Sequence, residues 1–451
     1  MSIKVIEIND SNIRVGDETG IIFQSPGFAL VTEDKLEVGE LAERQSRIQP
    51  TNSFSKYWYE LNLEPISHSA KVRHNADLAY AQLMYLAAEA DIDQDVIFSV
   101  PGNFSKDQLA ILLGLARQTK FTPVGFVNSA LADSIQATYK KQSLHVDIQL
   151  HQVVITTIVM NEAFFKVENV VQVPGVGVQN FMDLMMQVAT DLFIDQCRFN
   201  PQHDAISEQE LYNVLLAWFS NYEEGKTLQL ELQSSDTVHL AKLPWENLTG
   251  VLDRYYRKIN EQIGALTVGS EVQLVLSESL SRLPGYLRTI PSDLAYEVAS
   301  CYQGARACIN HQKLIASQDG EITLVDKLAK SELGIDDLVS KSEVQQSELA
   351  SHLLFGNEAV ELRRVVIRST PGKPEVRKSS QEINLAMEGL PEHLGTIDKT
   401  DSGVYFNSTN DHAILNHRSI SQGIHPLQLG DHIRFAETGK EIRLIKVWNG
   451  K

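Results

Sequence analysis

This sequence of 451 residues has little cysteine, a deficit of positive charge and no long apolar run. The cysteines are odd in number and lack metal-ligand spacing, so we predict small buried residues in a reducing cytoplasm at Cys197, Cys301 and Cys308. The net charge of −18 disfavours nucleic acid and anionic membranes as partners, because both attract positive charge. Since no apolar run approaches the roughly 20 residues that span a bilayer, we predict no membrane span and no secretory signal.

Hydrophobic residues make up 43% of the chain and charged residues 22%, which is typical of globular proteins, and the length allows two or three domains. The order of patterns between 96 and 141 predicts a βαβα unit with a mostly parallel sheet. Within it, Ser105-Lys-Asp-Gln108 is a helix capping box. The predicted elements are strands at 3–8, 12–16, 20–31, 96–102 and 123–127, and helices at 38–58 (stopped by Pro50), 75–90, 106–118 and 128–141.

The later part of the chain divides into three stretches. In the first stretch, which ends at residue 315, the predicted strands are 164–171, 226–233, 236–243 and 272–279. The predicted helices lie within 178–224, at 245–264 and at 293–309. Residues 316–357 are charged and contain a stretch rich in Ser, Glu and Lys, which predicts a linker. Short strand patterns with turn residues predict an all-β module over 358–451.

The chain is organised around residues 145–158, an apolar and β-branched stretch with one aspartate, Asp147. This pattern predicts a buried strand that enters a tight turn. In a phosphate-binding domain such a turn needs glycine, because only glycine lets consecutive N–H groups approach an anion without a Cβ in the way. The turn here contains no glycine. A phosphate turn at this position would therefore be filled by side chains.

Several segments resemble, in order and spacing, the ATPase domain of DnaK-type heat-shock chaperones, the seventy-kilodalton class of the actin-like superfamily. These segments are VGELAERQSRIQPTNS (38–53), VIFSVPGNFSKDQLAIL (96–112), VGFVNSALADSI (124–135), GVGVQNF (175–181), VQLVLSESLSRLPG (272–285) and SCYQGARACI (300–309). The resemblance covers residues 1–315. It implies an α/β fold of two lobes, each with a five-stranded sheet and helices, that close on a nucleotide.

The resemblance also implies where ATP and magnesium would bind if the site were retained. Glu7 lies at the carboxylate of the first phosphate turn and Asp147 at that of the second. Glu223 and Lys226 match the pair that holds ribose and adenine, and Gly304 matches a glycine of the nucleotide site. These five residues are the candidate cofactor-binding residues.

Other positions depart from the family pattern. Asp10 replaces a phosphate-contacting hydroxyl, and at 4 Å two like charges repel by about 4 kcal/mol at an effective dielectric near 20. The phosphate-reaching lysine falls near Lys56 or Trp58. The remaining departures are Gln149, Leu150 and His151 for the glycines of the second turn, Gln152 for its threonine, Val154 for a metal-side aspartate, Ser129 for the catalytic glutamate, and Glu278 with Ser279 for the adenine-side glycines. We therefore expect no ATP hydrolysis, no catalytic residue, no metal and no bound cofactor.

Residues 407–435 are similar to the forkhead-associated module, which implies a small β-sandwich over 358–451. The matching turn and asparagine residues are Ser408, Thr409, Asn410 and Asn416, and they are candidates for phosphopeptide or partner docking. The upstream arginine and serine that bind phosphothreonine in that family have no clear counterpart. By residue type alone, the candidate hydrogen-bond donors to an anionic group are Arg363, Arg364 and Arg368.

We therefore predict a chaperone-like pseudo-ATPase, residues 1–315, joined by linker 316–357 to a forkhead-associated-like module, 358–451. The favoured function is a scaffold or regulatory adaptor that binds other proteins, phosphorylated ones included, in a bacterial-type cytoplasm. One alternative is an ATP-binding, slow ATPase. A second is a phosphopeptide-binding module carried on an inactive actin-fold domain.

Overall fold

The computed structural model divides the chain into two compact units, Met1–Leu333 and Gly334–Lys451. The residues that the structure describes are 3–33, 35–66, 72–135, 137, 140–161, 164–234, 237–317, 321–329, 351–356, 358–377, 381–387, 389–400, 403–415, 418–427, 431–435 and 441–445. The boundary between the units lies inside the segment predicted as a linker.

The first unit is of mixed α/β composition. Its strands are β1 Lys4–Glu7, β2 Ile13–Asp17, β3 Gly20–Ser25, β4 Ala29–Val31, β5 Leu36–Val38, β6 Ser53–Phe54, β7 Asp95–Val100, β8 Thr122–Asn128, β9 Gln142–Ile148, β10 Gln152–Met160, β11 Phe164–Pro174, β12 Leu228–Ser234, β13 Thr237–Leu243, β14 Val272–Ser277, β15 Ala295–Ala299, β16 Leu324–Val325 and β17 Lys327–Ala329. Its helices are α1 Glu40–Glu43, α2 Asn75–Glu89, α3 Lys106–Ala116, α4 Ser129–Ser134, α5 Val178–Cys197, α6 Ala205–Asn221, α7 Trp245–Thr267, α8 Glu278–Ser281, α9 Gln303–Asn310 and α10 Gln312–Ile315, with 3₁₀ turns at Pro50–Asn52, Pro201–His203 and Tyr286–Thr289.

Two six-stranded sheets of this unit share one pattern of strand connection. The first sheet has the order β16-β8-β7-β1-β2-β3, and the second has the order β15-β14-β9-β10-β11-β17. In each sheet three consecutive strands form an antiparallel meander, and the first of the three pairs in parallel with a later strand, β7 or β14. Strands β1, β7 and β8 pair in parallel, as the βαβα pattern predicts.

Apolar packing holds both sheets and fixes the turns at their strand ends. Strands β7 and β14 are almost wholly buried, which is typical of parallel strands covered on both faces. One hydrophobic cluster joins β9, β10 and β14 to α5, α6 and α7, and another joins β1, β2 and β7 to α2 and α3. At the start of α3, Ser105 Oγ accepts the Gln108 N–H at 3.2 Å, so the predicted capping box is present.

Three predicted helices are wrong in part. Of 128–141, the described residues are helical only over Ser129–Ser134. Within 38–58 only Glu40–Glu43 is α-helical, because Leu36–Val38 pairs with β4 and Gly39 has a positive φ of 78° before the helix. Within 293–309 the residues Ala295–Ala299 form β15, parallel to β14, and the helix begins only at Gln303. The apolar side chains of 295–299 suited either element, and a pairing partner distant in sequence decided the outcome.

The linker predicted at 316–357 contains strands of both units in its described residues. Leu324–Val325 adds to the first sheet beside β8, and Lys327–Ala329 adds to the second beside β11. Each sheet therefore has six strands where the resemblance implied five. At the other end of the segment, the strand His352–Phe355 belongs to the second unit. Strands of the first unit thus continue past the boundary predicted at 315, and a strand of the second unit precedes the boundary predicted at 358.

The second unit consists of strands and turns in the residues that the structure describes. Its strands are β18 His352–Phe355, β19 Glu358–Glu361, β20 Arg364–Arg368, β21 Glu375–Arg377, β22 Glu382–Asn384, β23 His393–Thr400, β24 Gly403–Ser408, β25 Ile414–Leu415, β26 Arg418–Ser419, β27 Gly423–Leu427, β28 His432–Arg434 and β29 Ile442–Ile445. They form sheets of order β19-β18-β29-β28-β25-β26 and β21-β22-β20-β23-β24-β27. Residues from both sheets build one hydrophobic cluster, with Val365, Phe406 and Ile442 buried at its centre. Across the described part of the whole chain, each helix is too short or too polar to cross a bilayer.

Candidate functional site

Two turns meet where the resemblance places the phosphates of a nucleotide. The first follows β1 at residues 8–11, and the second joins β9 to β10 at 148–151. Asn9 Nδ2 donates to Asp147 Oδ2 at 2.8 Å and to the Ile148 carbonyl at 3.0 Å. Asp10 Oδ1 accepts the Leu150 N–H at 2.7 Å. We call these two turns, bonded directly to each other, the turn interface.

The first turn is fixed by its own side chains. Asn9 Oδ1 accepts both the N–H and the hydroxyl of Ser11, at 3.0 and 2.8 Å, which is the geometry of an asparagine turn. The Gly27 N–H donates to the Asp10 carbonyl at 2.8 Å, and a Cβ at Gly27 would lie only 2.7 Å from that oxygen. Asp10 is therefore held in position from both its backbone and its carboxyl group.

The second turn is held on its other side by the start of α5. The N–H groups of Gly175, Val178 and Gln179 donate to the carbonyls of His151, Gln149 and Leu150 at 2.9–3.1 Å. A Cβ at Gly177 would lie under 3.0 Å from backbone atoms of Leu150 and His151. The helix start, which in other proteins offers free N–H groups to an anion, here donates to the protein's own turn.

Side chains fill the space that glycines would leave open in this turn. Leu150 is 2% exposed and packs against Phe28, Leu30 and Ala42. Gln149 is buried, accepts from Gln152 Nε2 at 2.7 Å and exchanges hydrogen bonds of 3.3 and 3.4 Å with the Asn103 amide. His151 Nε2 lies 2.9 Å from the Ser55 carbonyl. The second turn is therefore occupied by protein atoms.

Carboxyl groups of unusual pKa lie at the turn interface. Burial raises the pKa of Asp10 to about 7, although the Leu150 N–H opposes this. Burial also raises the pKa of Glu7 to about 7 against the opposing charge of Arg14, whose Nη1 lies 3.2 Å from Glu7 Oε1. The pKa of Asp147 is raised by burial, and the charge of His145 opposes that rise. Glu7 and Asp10 are therefore only partly ionised at pH 7.

Arg14 and Asn9 are residues of the candidate site that the sequence reasoning missed. Arg14 pairs with Glu7 and donates from Nη2 to Ser279 Oγ at 3.2 Å, so it links β2 to the start of α8. The sequence signal for it is an arginine between two apolar residues of β2. His145 has Nε2 3.0 Å from Asp133 Oδ2.

The five candidate cofactor residues do not converge on one pocket. Glu7 and Asp147 lie at the turn interface, each already bonded to a protein partner. Glu223 and Lys226 form an ion pair with each other, and both side chains are about 70% exposed. Gly304 is buried in α9, where a Cβ would lie under 3.0 Å from Asp133 Oδ1, so glycine there allows α9 to approach α4.

The other nucleotide-site positions also have protein partners. Glu278 Oε2 accepts the Cys301 N–H at 2.7 Å, and its other oxygen pairs with Arg282. Trp58 is buried and donates from Nε1 to Gln82 at 3.2 Å, so it is a core residue. Lys56 is exposed at the edge of a cleft beside the second turn.

In the second unit, the Ser-Thr-Asn turn bonds to its own surroundings. Ser408 Oγ donates to the Asn410 carbonyl at 2.7 Å, and Thr409 Oγ1 donates to the His393 carbonyl at 2.8 Å. Asn410 Oδ1 accepts the His412 N–H at 3.0 Å, and its Nδ2 lies 3.5 Å from the Leu394 carbonyl. Asn416 lies outside the described residues. The candidate anion donors Arg363, Arg364 and Arg368 pair with Glu361, Asp398 and Glu392.

The described residues contain no group of three or more His, Cys, Asp or Glu arranged to hold a metal ion. The turn interface is thus a polar contact between two sheets, built from one carboxylate and one amide of the first turn and the backbone of the second. Comparison with models of protein families and with curated proteins finds no match to this chain.

Proposed function

We propose that this protein is a heat-shock-chaperone-like pseudo-ATPase of actin-like fold that acts as a scaffold or regulatory adaptor through contacts with other proteins. The shared strand order of the two sheets in the first unit supports the actin-like interpretation. The observation that carries the proposal is the bond from the Leu150 N–H to Asp10, because that N–H belongs to the turn that would hold phosphate.

A triphosphate would have to replace bonds that the protein makes with itself. The Asp10 carboxyl takes the place of an anion at Leu150, and Asn9 donates a hydrogen bond to one oxygen of Asp147. Phosphoryl transfer requires the metal, the phosphate and a water to be positioned together. With the turns closed on each other, the fold keeps its shape without nucleotide, which suits a protein that presents surfaces to partners.

The charge of the first unit indicates the kind of partner. Residues 1–333 contain 42 acidic and 26 basic residues, a net charge of −16 out of the −18 of the whole chain. A partner surface rich in lysine and arginine would associate fastest, because opposite charges steer the encounter. The full chain can be used to capture partners from the native host at low salt. Loss of these partners at high salt would support a basic partner surface.

The second unit is proposed as a forkhead-associated-like β-sandwich that contributes a docking surface, including for phosphorylated proteins. The internal bonding of Ser408, Thr409 and Asn410 favours a role in holding the loop. A phosphothreonine-peptide pulldown that Asn410→Ala abolishes would favour the phosphopeptide reader over the adaptor.

We expect ATP with magnesium to leave the thermal unfolding of the full chain unchanged. A ligand that binds the folded state stabilises it by about 2.7 kcal/mol at a hundredfold excess over its dissociation constant. Differential scanning fluorimetry with ATP-magnesium measures this, with magnesium alone as the control. A shift accompanied by phosphate release would replace the pseudo-ATPase by a slow ATPase.

A further inference from the structure

A cleft lies beside the second turn, on the side of the His151 ring. Its volume is about 490 Å³, within the range of roughly 300–1,000 Å³ that small-molecule sites occupy. The lining residues that carry the argument are Arg47, Ser53, Lys56, Tyr59, Gln179 and Asp183. We call this cavity the Lys56 cleft.

The walls of the Lys56 cleft come from two parts of the first unit. One wall is the stretch 46–59, which includes the Pro50–Asn52 turn and β6, and the other is the first turn of α5. His151 joins them, because its Nε2 bonds the Ser55 carbonyl while its own carbonyl accepts the Gly175 N–H. A ligand in the cleft would therefore touch both walls at once.

Polar groups in the cleft have no protein partner, in contrast to those of the turn interface. Within the described part of the chain, the Lys56 ammonium group, the Tyr59 hydroxyl and the Ser53 hydroxyl make no hydrogen bond or ion pair. The Gln179 side-chain oxygen is buried and has no hydrogen-bond partner, although its amide nitrogen donates to Asp183 at 3.0 Å. A buried polar atom without a partner is costly, so a ligand that offers a donor there would be favoured.

The charges in the cleft leave one cation unpaired. Arg47 bonds Asp183, has Nη1 3.8 Å from Glu208 and lies over the Tyr212 ring, so it is already neutralised and fixed. Burial lowers the pKa of His151, and nearby Lys56 lowers it further, so that ring is neutral at pH 7. Lys56 is therefore the group that an anion would meet.

We propose that the Lys56 cleft binds a small, hydroxyl-rich organic anion of the sugar monophosphate class. The phosphate group pairs with Lys56, and sugar hydroxyls donate to the Gln179 oxygen and exchange hydrogen bonds with Ser53. The ring of Tyr59 supplies one apolar face for the sugar. His151 adjoins both the cleft and the turn interface, but the proposed ligand contacts, Lys56, Ser53, Tyr59 and the Gln179 oxygen, lie outside the two turns.

Isothermal titration of the full chain with a panel of hexose and pentose monophosphates tests the proposal. We expect saturable binding of at least one member, and binding at least about 10-fold weaker in Lys56→Met, since a charge-assisted hydrogen bond is lost. Lys106→Met is the matched control, because Lys106 is exposed at the start of α3, outside the cleft, and should bind as the unaltered chain does.

Titrations with unphosphorylated sugars and with inorganic phosphate complete the test. The corresponding unphosphorylated sugars are expected to bind at least about 10-fold more weakly than the phosphates, because they lack the group that pairs with Lys56. Absence of binding by the whole panel would overturn the proposal. So would equal binding in Lys56→Met, or binding of inorganic phosphate as tight as that of the best sugar phosphate.

Discussion

Replacing Gly177 by alanine is expected to lower the free energy of unfolding of the first unit by about 3 kcal/mol, the upper end of the range for overpacking. The new Cβ would lie under 3.0 Å from backbone atoms of Leu150 and His151, which have no side-chain freedom to move away. The start of α5 would have to shift, and the hydrogen bonds from Val178 and Gln179 to the second turn would lengthen or break. Urea unfolding of the full chain, followed through the transition of the first unit, measures the loss.

The same substitution at Gly114 is the matched control. Gly114 lies inside α3, and a Cβ there would meet no atom within 4 Å. Alanine is therefore expected to stabilise the chain by about 0.5–1 kcal/mol, because glycine is a poor helix former. If alanine lowers the free energy of unfolding at Gly177 and raises it at Gly114, the loss at Gly177 results from the packing of α5 on the second turn. If Gly177→Ala unfolds at the same urea concentration as the unaltered chain, the second turn is not held by this contact.

The turn interface shows how far sequence reasoning reaches. The absence of glycine after Asp147 correctly indicated that side chains fill the second turn, since this depends only on residue type at known positions. The role of Asp10 was not predictable in this way. The sequence indicated only repulsion of a phosphate, whereas the structure has Asp10 bonded to the N–H of a residue 140 positions away. Partners so distant in sequence leave no local pattern.

The fold shows the same division between local and distant signals. Helix α2, the capped start of α3 and the hairpin of β12 and β13 follow from patterns within a few residues, and all three are present. Strand β15 and the edge strands β16 and β17 depend on pairing with β14, β8 and β11. Their sequences are short or suited to more than one element, so the sheets to which they add determined their conformation.

Asp10→Asn is expected to remove a pH dependence from the stability of the first unit. The pKa of Asp10 is about 7 in the folded chain and near its ordinary value of about 4 when unfolded, so the folded state holds an extra proton between these values. The stability that this group contributes is complete below pH 4 and is lost as the pH rises to 7, at about 1.4 kcal/mol per pH unit. Asparagine has no such proton, and its side-chain oxygen still accepts the Leu150 N–H.

Urea unfolding of both chains at pH 5 and pH 8 measures this difference. Relative to the unaltered chain, Asp10→Asn should gain about 2–3 kcal/mol between pH 5 and pH 8, since two pH units of the window are crossed. Glu7, Asp147 and Tyr57 face Asp10 or its neighbours and stay in both chains, so their titration largely cancels. Asp10→Ala should be less stable than Asp10→Asn at both pH values by about 1–3 kcal/mol, because it leaves the buried Leu150 N–H without an acceptor. Parallel pH profiles for Asp10→Asn and the unaltered chain would mean that Asp10 stays ionised in the fold, and that the Leu150 N–H donates to a carboxylate rather than to a protonated carboxyl group.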